Sequence, residues 1–397
     1  MKRILIVYHY FAAYRLPVIR ELMSATDYEF SLISDVESRG GIRTINPDLA
    51  KLPVSEGGVR WQFIKNCWVG GKRSPLLWQK GLVQLIRESD YDAVIFLGAV
   101  YYLSTWAATR VAKKRGKRVI LWTHGFLGKD PGCLAGMRHA LYRQADACLL
   151  YGNRAKAIMC KSGYYSRDQL HVIYNSLDYQ MHSRMRDYSR PDQKEEQKRR
   201  LFKSADYKLL GYIGRLSQGK SLELLIDAIN ITKKGGARFR AVLIGDGPAR
   251  VELEEQARSL GLGEDILFYG YSDGEEACRV LAACDLCVVP GSVGLTAMHS
   301  MCLGVPVLTH DDELSQKPES EAVVEGSTGG FFRKGDAMDL AEKMKGLTSS
   351  LEYPSMRENC FKMIDSFYNP QVQKKLICDA VDGVPYSMDE CAPASIC

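Results

Sequence analysis

Pro290-Gly291-Ser292-Val293-Gly294-Leu295-Thr296-Ala297-Met298-His299-Ser300-Met301-Cys302-Leu303-Gly304-Val305-Pro306-Val307 decides the fold. An apolar strand, Leu286–Val289, ends at Pro290. Gly291 and Gly294 permit a tight turn and close backbone approach. A helix then begins near Leu295, and its free N–H groups and positive dipole end form an anion site. Gly304 suits the left-handed position after a helix, and Pro306 blocks continuation. Any doubly wound parallel sheet contains such strand–turn–helix units, so this stretch needs company before it implies chemistry.

Its surroundings repeat the pattern. Strand-like runs (Leu209–Ile213, Arg240–Ile244, Ile266–Tyr269, Leu286–Val289, Val305–Thr309) alternate with helical ones (Leu222–Ile231, Arg250–Leu260, Glu275–Ala283, Leu295–Leu303, Met338–Leu347). The first half does the same, from Ile4–Tyr8 through Ala147–Tyr151 to Val172–Tyr174, with Trp78–Arg87 expected as a helix. Alternation of this kind predicts α/β architecture with a parallel sheet covered on both faces. Residues 179–204 interrupt it with charge and few apolar side chains, which suggests a linker or exposed helix. The expected division is a first domain over 1–175, a linker over 176–206 and a second domain over 207–364. A helix near 365–380 is expected to pack back on the first domain, with 380–397 as a flexible tail. Ligands of such sheets bind at the carboxyl ends of the strands, here expected to face a cleft.

The 397 residues are 46% hydrophobic and 25% charged, a globular composition that excludes disordered and fibrous classes. No apolar run reaches the roughly 18–20 residues that span a bilayer. Several of the twelve cysteines, Cys148, Cys287 and Cys302 among them, sit inside apolar runs. Cys284 and Cys287 form a C-x-x-C within a buried-strand pattern, without a partner at zinc spacing. A reduced, cytoplasmic setting is expected, with possible peripheral contact to the inner face of the cell membrane. The net charge of +6 conceals an asymmetry: residues 1–174 carry 26 Lys+Arg against 13 Asp+Glu, the remainder 27 against 34. A basic half suits an anionic surface or acceptor. Aromatic and basic residues interleave over Trp61–Trp78, as at a membrane interface. Nucleic acid is unlikely, since no motif accompanies the charge.

Gly214-Arg215-Leu216-Ser217-Gln218-Gly219-Lys220 also joins a strand to a helix. Arg215 and Lys220 at that strand's carboxyl edge would hold a diphosphate, one as a fork and one as a point charge. In Ile244-Gly245-Asp246-Gly247-Pro248, Gly245 and Gly247 would let a nucleoside lie against backbone, with Pro248 at the first helical position.

In order and spacing these motifs resemble the retaining glycosyltransferase family 4 of the GT-B fold. The set comprises G-R-L-x-x-x-K at Gly214–Lys220, I-G-D-G-P at Ile244–Pro248, F-x-G at Phe268–Gly270, the run Gly294–Val307, and E-x-V-x-x-G-x-T-G at Glu321–Gly329. Val172–Asp178 is similar to a further family segment, and Trp122-Thr123-His124-Gly125 to one with a ligand-facing His. The resemblance implies two Rossmann-like domains and transfer of a sugar, with retention, from a nucleotide-diphosphate donor to a saccharide or polyprenyl-diphosphate-linked acceptor. It also suggests a role in surface-polysaccharide synthesis. It implies catalytic roles for Arg215, Lys220, His124 and Glu321. Donor contacts are implied at Gly245, Gly247, Tyr271, Gly291, Gly294, Leu295, Thr296 and His299. No metal and no cofactor beyond the donor is expected. The family usually carries two Glu eight positions apart around this helix; here those positions hold Gly291 and His299. The alternatives are a hydrolase, epimerase or phosphorylase using the same site, or a non-catalytic binding protein.

Overall fold

A computed structural model describes residues 1–39, 41–71, 73–126, 128 and 132–386. The chain forms two compact units among the described residues, Met1–Leu177 joined by the segment Pro370–Tyr386, and Asp178–Asn369.

The first unit contains β1 (Lys2–Val7), α1 (Leu16–Met23), β2 (Tyr28–Ser34), β3 (Trp61–Phe63), β4 (Asn66–Trp68), β5 (Leu77–Gln79), α2 (Leu82–Glu88), β6 (Ala93–Leu97), α3 (Leu103–Lys114), β7 (Arg118–Thr123), α4 (Gly132–Tyr142), β8 (Ala147–Leu150), α5 (Asn153–Lys161) and β9 (Leu170–Val172). Seven strands form a parallel sheet in the order β3-β2-β1-β6-β7-β8-β9. Central strands such as Val94-Ile95-Phe96 and Val119-Ile120-Leu121 are wholly buried. That is why they read as continuous apolar runs rather than alternating ones.

The second unit contains α6 (Tyr179–Arg184), α7 (Pro191–Phe202), β10 (Lys208–Ile213), α8 (Leu222–Lys234), β11 (Phe239–Ile244), α9 (Arg250–Ser259), β12 (Ile266–Gly270), α10 (Gly274–Ala282), β13 (Leu286–Val289), α11 (Leu295–Cys302), β14 (Val307–His310), β15 (Gly329–Phe332), α12 (Ala337–Ser349) and α13 (Tyr353–Ser366). Its six strands are parallel in the order β12-β11-β10-β13-β14-β15. The chain winds outward from β10 to β12, then returns to lay β13 on the other side of β10. The connections leaving β10 and β13 therefore diverge and leave a crevice at their carboxyl ends. The first unit has the same reversal between β1 and β6.

Several boundaries differ from the sequence reading. Trp78 and Gln79 belong to the β4–β5 hairpin, so the helix expected over 78–87 starts only at Leu82. Cross-strand pairing of Cys67 with Trp78 overrides the local helical pattern. Pro248 stands before Ala249, the residue that caps α9, and not at the first helical position. The stretch expected as a linker is folded from Asp178 onward as α6 and α7 of the second unit. Lys198 on α7 reaches the carboxylate of Asp285 at 2.6 Å, and both side chains are buried. The same carboxylate accepts the Leu209 N–H at 2.7 Å, fixing α7 to the start of the sheet.

The last helix, α14 (Pro370–Asp382), returns to the first unit. Its Gln373 donates to the Tyr174 carbonyl at 2.9 Å, and its Asp382 receives Lys2 at 2.8 Å and the Tyr28 hydroxyl at 2.7 Å. The expected tail thus begins beyond Asp382, and residues 387–397 lie outside the described residues. No helix among the described residues is long and apolar enough to cross a membrane.

Candidate active site in the second unit

Three glycine turns close the carboxyl end of this sheet against one another. The Gly214 N–H donates to the Ile244 carbonyl at 2.9 Å, and the Gly245 N–H to the Gly270 carbonyl at 2.8 Å. A Cβ on Gly245 would stand 1.9 Å from the Gly214 oxygen. With φ at +142°, the position excludes side chains twice over. The sequence places glycines here because backbone from neighbouring turns occupies the space of any side chain.

The turns floor a cavity of about 410 Å³. Ile213–Arg215, Ile244–Asp246 and Tyr271–Gly274 form its base, with Ala277 and Cys278 of α10, His299 of α11, and Met181 and His182 of α6 around it. Among the sequence-predicted donor residues, Arg215, Gly245, Tyr271 and His299 line this cavity together. Arg215 is exposed, and its guanidinium has no hydrogen bond or ion pair with the described residues. Tyr271 is 71% exposed and donates its hydroxyl to Asp273 at 2.9 Å. Gly247 lies outside the lining and packs against Leu216, whose oxygen is 2.2 Å from its ideal Cβ.

Lys220, Gly291, Gly294, Leu295 and Thr296 gather beside the cavity at the start of α11. Thr296 Oγ1 donates to the Ile213 carbonyl at 2.9 Å, joining the first turn of α11 to the cavity floor. Lys220 Nζ donates to the Ser292 carbonyl at 3.0 Å. Burial and the nearby charge of Lys317 push the Lys220 ammonium below its usual range, with Glu319 opposing. Lys317 is exposed and passes over Gly294, whose ideal Cβ would meet Lys317 Cδ at 3.2 Å. Two cations, Lys220 and Lys317, therefore flank this helix start, with Arg215 in the lining of the adjoining cavity. Lys317 escaped the sequence reading because it lies 23 residues beyond Gly294, outside every motif.

The Gly291 substitution has a steric cause. Its N–H donates to the Lys220 carbonyl at 2.9 Å, and a Cβ would meet the Gly219 oxygen at 2.7 Å and Lys220 Cα at 2.8 Å. The backbone after β13 lies so close to the loop after β10 that no acid side chain fits.

His299 belongs to a relay that fixes its proton. His182 Nδ1 is 2.6 Å from the Asp178 carbonyl oxygen, and its Nε2 is 2.8 Å from His299 Nδ1. A carbonyl only accepts, so His182 Nδ1 carries the hydrogen. Burial lowers the pKa of His182 and, with His182 nearby, pushes that of His299 down to about 3, so both rings are neutral near pH 7. His182 Nε2 is then a lone pair, His299 Nδ1–H donates to it, and His299 Nε2 is left as an acceptor. The role that a carboxylate would take is open to a neutral imidazole. No sequence signal pointed to His182, which sits in the polar stretch read as a linker.

Glu321 lies on the short 3₁₀ segment Pro318–Ala322 and is half-buried, outside the cavity lining. His124 belongs to the first unit, where it follows β7, is exposed, and faces the Tyr151 ring at 4.7 Å. Among the described residues, no group of three His, Cys, Asp or Glu stands close enough to hold a metal.

Comparison with known proteins agrees with this geometry. Residues 193–362 match the family model described as Glycosyl transferases group 1. The fold, two Rossmann-like parallel-sheet domains, is that of the GT-B glycosyltransferases. The second unit is thus similar in sequence to group 1 glycosyltransferases, and the fold is the one they share. More particularly, the chain is 27% identical over 193 residues to the glycosyltransferase EpsF of Bacillus subtilis, covering 48% of each chain. It is 26% identical over 235 residues to the alpha-D-kanosaminyltransferase of Streptomyces kanamyceticus, covering 58% of this chain and 57% of that one. The chain thus spans about half the length of these curated relatives. Among solved structures, Anabaena Alr3699/HepE in complex with UDP superposes with a TM-score of 0.72 at 16% identity, over 96% of this chain and 100% of that one.

Proposed function

We propose that the chain transfers a glycosyl group, with retention of configuration, from a nucleoside diphosphate sugar bound in the second unit. One observation carries this reading: an arginine without a partner among the described residues lines a nucleoside-sized cavity at the sheet's reversal point, beside two lysines and a helix start. Departure of the diphosphate builds negative charge as the glycosidic bond breaks. Arg215, Lys220, Lys317 and the N–H groups at Gly294–Thr296 stand ready to stabilise it, and such preorganised donors are worth more in the transition state than in the ground state. No metal enters this reading. The nucleoside occupies the cavity over Gly245, with Tyr271 at its mouth. His299 Nε2 accepts a hydrogen bond from a ribose hydroxyl. Glu321 contacts donor hydroxyls, and His124 of the first unit contacts the acceptor. The UDP bound by the Anabaena protein supports a nucleoside diphosphate as ligand. The basic first half supports an anionic acceptor, such as a lipid-diphosphate-linked saccharide, and a role in surface-polysaccharide synthesis at the cytoplasmic face of the membrane.

A thermal-shift screen against UDP-, GDP- and CMP-sugars identifies the donor. Arg215→Ala and Lys220→Ala should each lower turnover by about 100-fold or more while the melting temperature holds. Normal turnover in both variants would refute the diphosphate assignment. Incubation with donor alone separates transfer from hydrolysis.

A further inference from the structure

The first unit has its own cavity at its own point of strand reversal, apart from the nucleotide cavity of the second unit. It measures about 370 Å³ and is bounded by the loops after β1, β6 and β7. Its lining contains Arg15, Arg138, His9 and His124, and no carboxylate. Arg15 sits in an aromatic cage, its guanidinium carbon 4.9 Å from the ring centres of both Tyr8 and Trp122. It donates to the Tyr151 hydroxyl, and the rings of Tyr14 and Tyr151 complete the enclosure at 5.6 and 5.9 Å. A guanidinium carries five N–H donors, and the bond to the Tyr151 hydroxyl uses one nitrogen. No acid pairs with it among the described residues. His9 Nδ1, in the same lining, is buried and without a hydrogen-bond partner.

A cation held among rings, with no counter-charge and with an open cavity before it, is costly unless the counter-charge arrives with a ligand. The cage supplies cation–π stabilisation, but the planar fork remains free for bidentate recognition of an anion. The volume exceeds what a lone anion fills, and its aromatic walls suit a sugar or prenyl group attached to that anion. We propose that this cavity binds the phosphoryl group of the acceptor, with Arg15 as the anion fork and His9 Nδ1 as a second contact. The proposal rests on the transferase reading above for the word acceptor; the anion site itself does not.

The test keeps the two apart. Binding of inorganic phosphate to the full chain is measured by calorimetry with UDP at saturation, so that the second unit's diphosphate site is occupied. Failure of UDP to bind would count against the donor reading alone, and the titration would then be run on Arg215→Ala. Phosphate should bind the wild type, and Arg15→Met should weaken it at least about tenfold with UDP affinity unchanged, since hydrogen bonds to charged groups are strong. Arg15→Lys should fall between. Binding should also displace the His9 ring signals in the NMR spectrum of the wild type, a readout that survives if Arg15→Met fails to fold. Equal phosphate affinity in wild type and Arg15→Met, or unmoved His9 signals, would overturn the proposal. Parallel titrations distinguish the source: tighter binding of geranyl diphosphate assigns the phosphoryl group to a lipid carrier, tighter binding of glucose 1-phosphate to a free sugar phosphate.

Discussion

Replacing His299 by glutamate tests the histidine relay most directly, because it restores the family's usual residue to a neighbourhood built for a neutral ring. His182 Nδ1–H is committed to the Asp178 carbonyl at 2.6 Å. A carboxylate at position 299 would demand a hydrogen from His182 Nε2, 2.8 Å from the atom it now faces. His182 can comply only by becoming an imidazolium. An opposite charge at that range favours the charged form by about 1–3 pKa units, so the depressed pKa of His182 should rise past its ordinary value. The ribose hydroxyl would then meet an ionised acceptor. Bonds to charged groups exceed neutral ones by about 1–1.5 kcal/mol, which is about five- to tenfold in affinity. Calorimetry with UDP and an NMR titration of the His182 ring measure both effects. In the variant, the raised pKa stabilises the fold at pH below about 6.5, and that gain is lost as pH climbs through the new value. If UDP binds the variant more weakly than wild type, and the His182 pKa stays depressed, the tautomer argument is wrong.

Other outcomes follow from the same geometry. In the wild type both histidines are neutral with lowered pKa values, so protonation opposes folding. Stability should hold above about pH 6.5 and decline as pH falls from there toward about 3, with donor affinity declining alongside, as denaturant melts and calorimetry at stepped pH would show. Lys317→Met should raise the pKa of Lys220, whose depression owes part of its size to that charge, and cut turnover roughly tenfold or more, measurable by NMR and steady-state kinetics. Gly245→Ala should destabilise the second unit by about 2 kcal/mol or more and abolish UDP binding, because its methyl would overlap the Gly214 oxygen. Lys198→Met should cost about 3–5 kcal/mol in urea melts by leaving the buried Asp285 carboxylate unpaired.

Most of the fold was legible because buried parallel strands announce themselves as apolar runs and their helices as periodic ones. Leu286–Val289 and Ala93–Leu97 were read to the residue. Trp78 was misread because its strand is set by Cys67, eleven residues back, which local periodicity does not register. The candidate site was legible at its turns, where glycines betray backbone crowding, and at Arg215 and His299, which line its cavity. It was illegible where side chains converge from distant segments. His182 arrives on a helix whose polar composition concealed that one residue is only 2% exposed, and Lys317 follows no motif. The Arg15 cage was visible only as an aromatic loop. That Tyr8, Trp122 and Tyr151 close around one guanidinium depends on β1, β7 and β8 ending at one edge of the sheet, with β6 between the first two.

Because α14 completes the first unit, that unit is sewn from both ends of the described chain: Lys2 and Tyr28 meet Asp382. During synthesis the second unit has all of its strands and helices as soon as residue 369 has left the ribosome, whereas the unit begun first must wait for its closing helix. Until then the contact faces of α1 and β9 for α14 stay uncovered. Nascent chains arrested near residue 369 should therefore display a protease-resistant second unit beside a still-cleavable first one, reversing the usual order of maturation along a polypeptide.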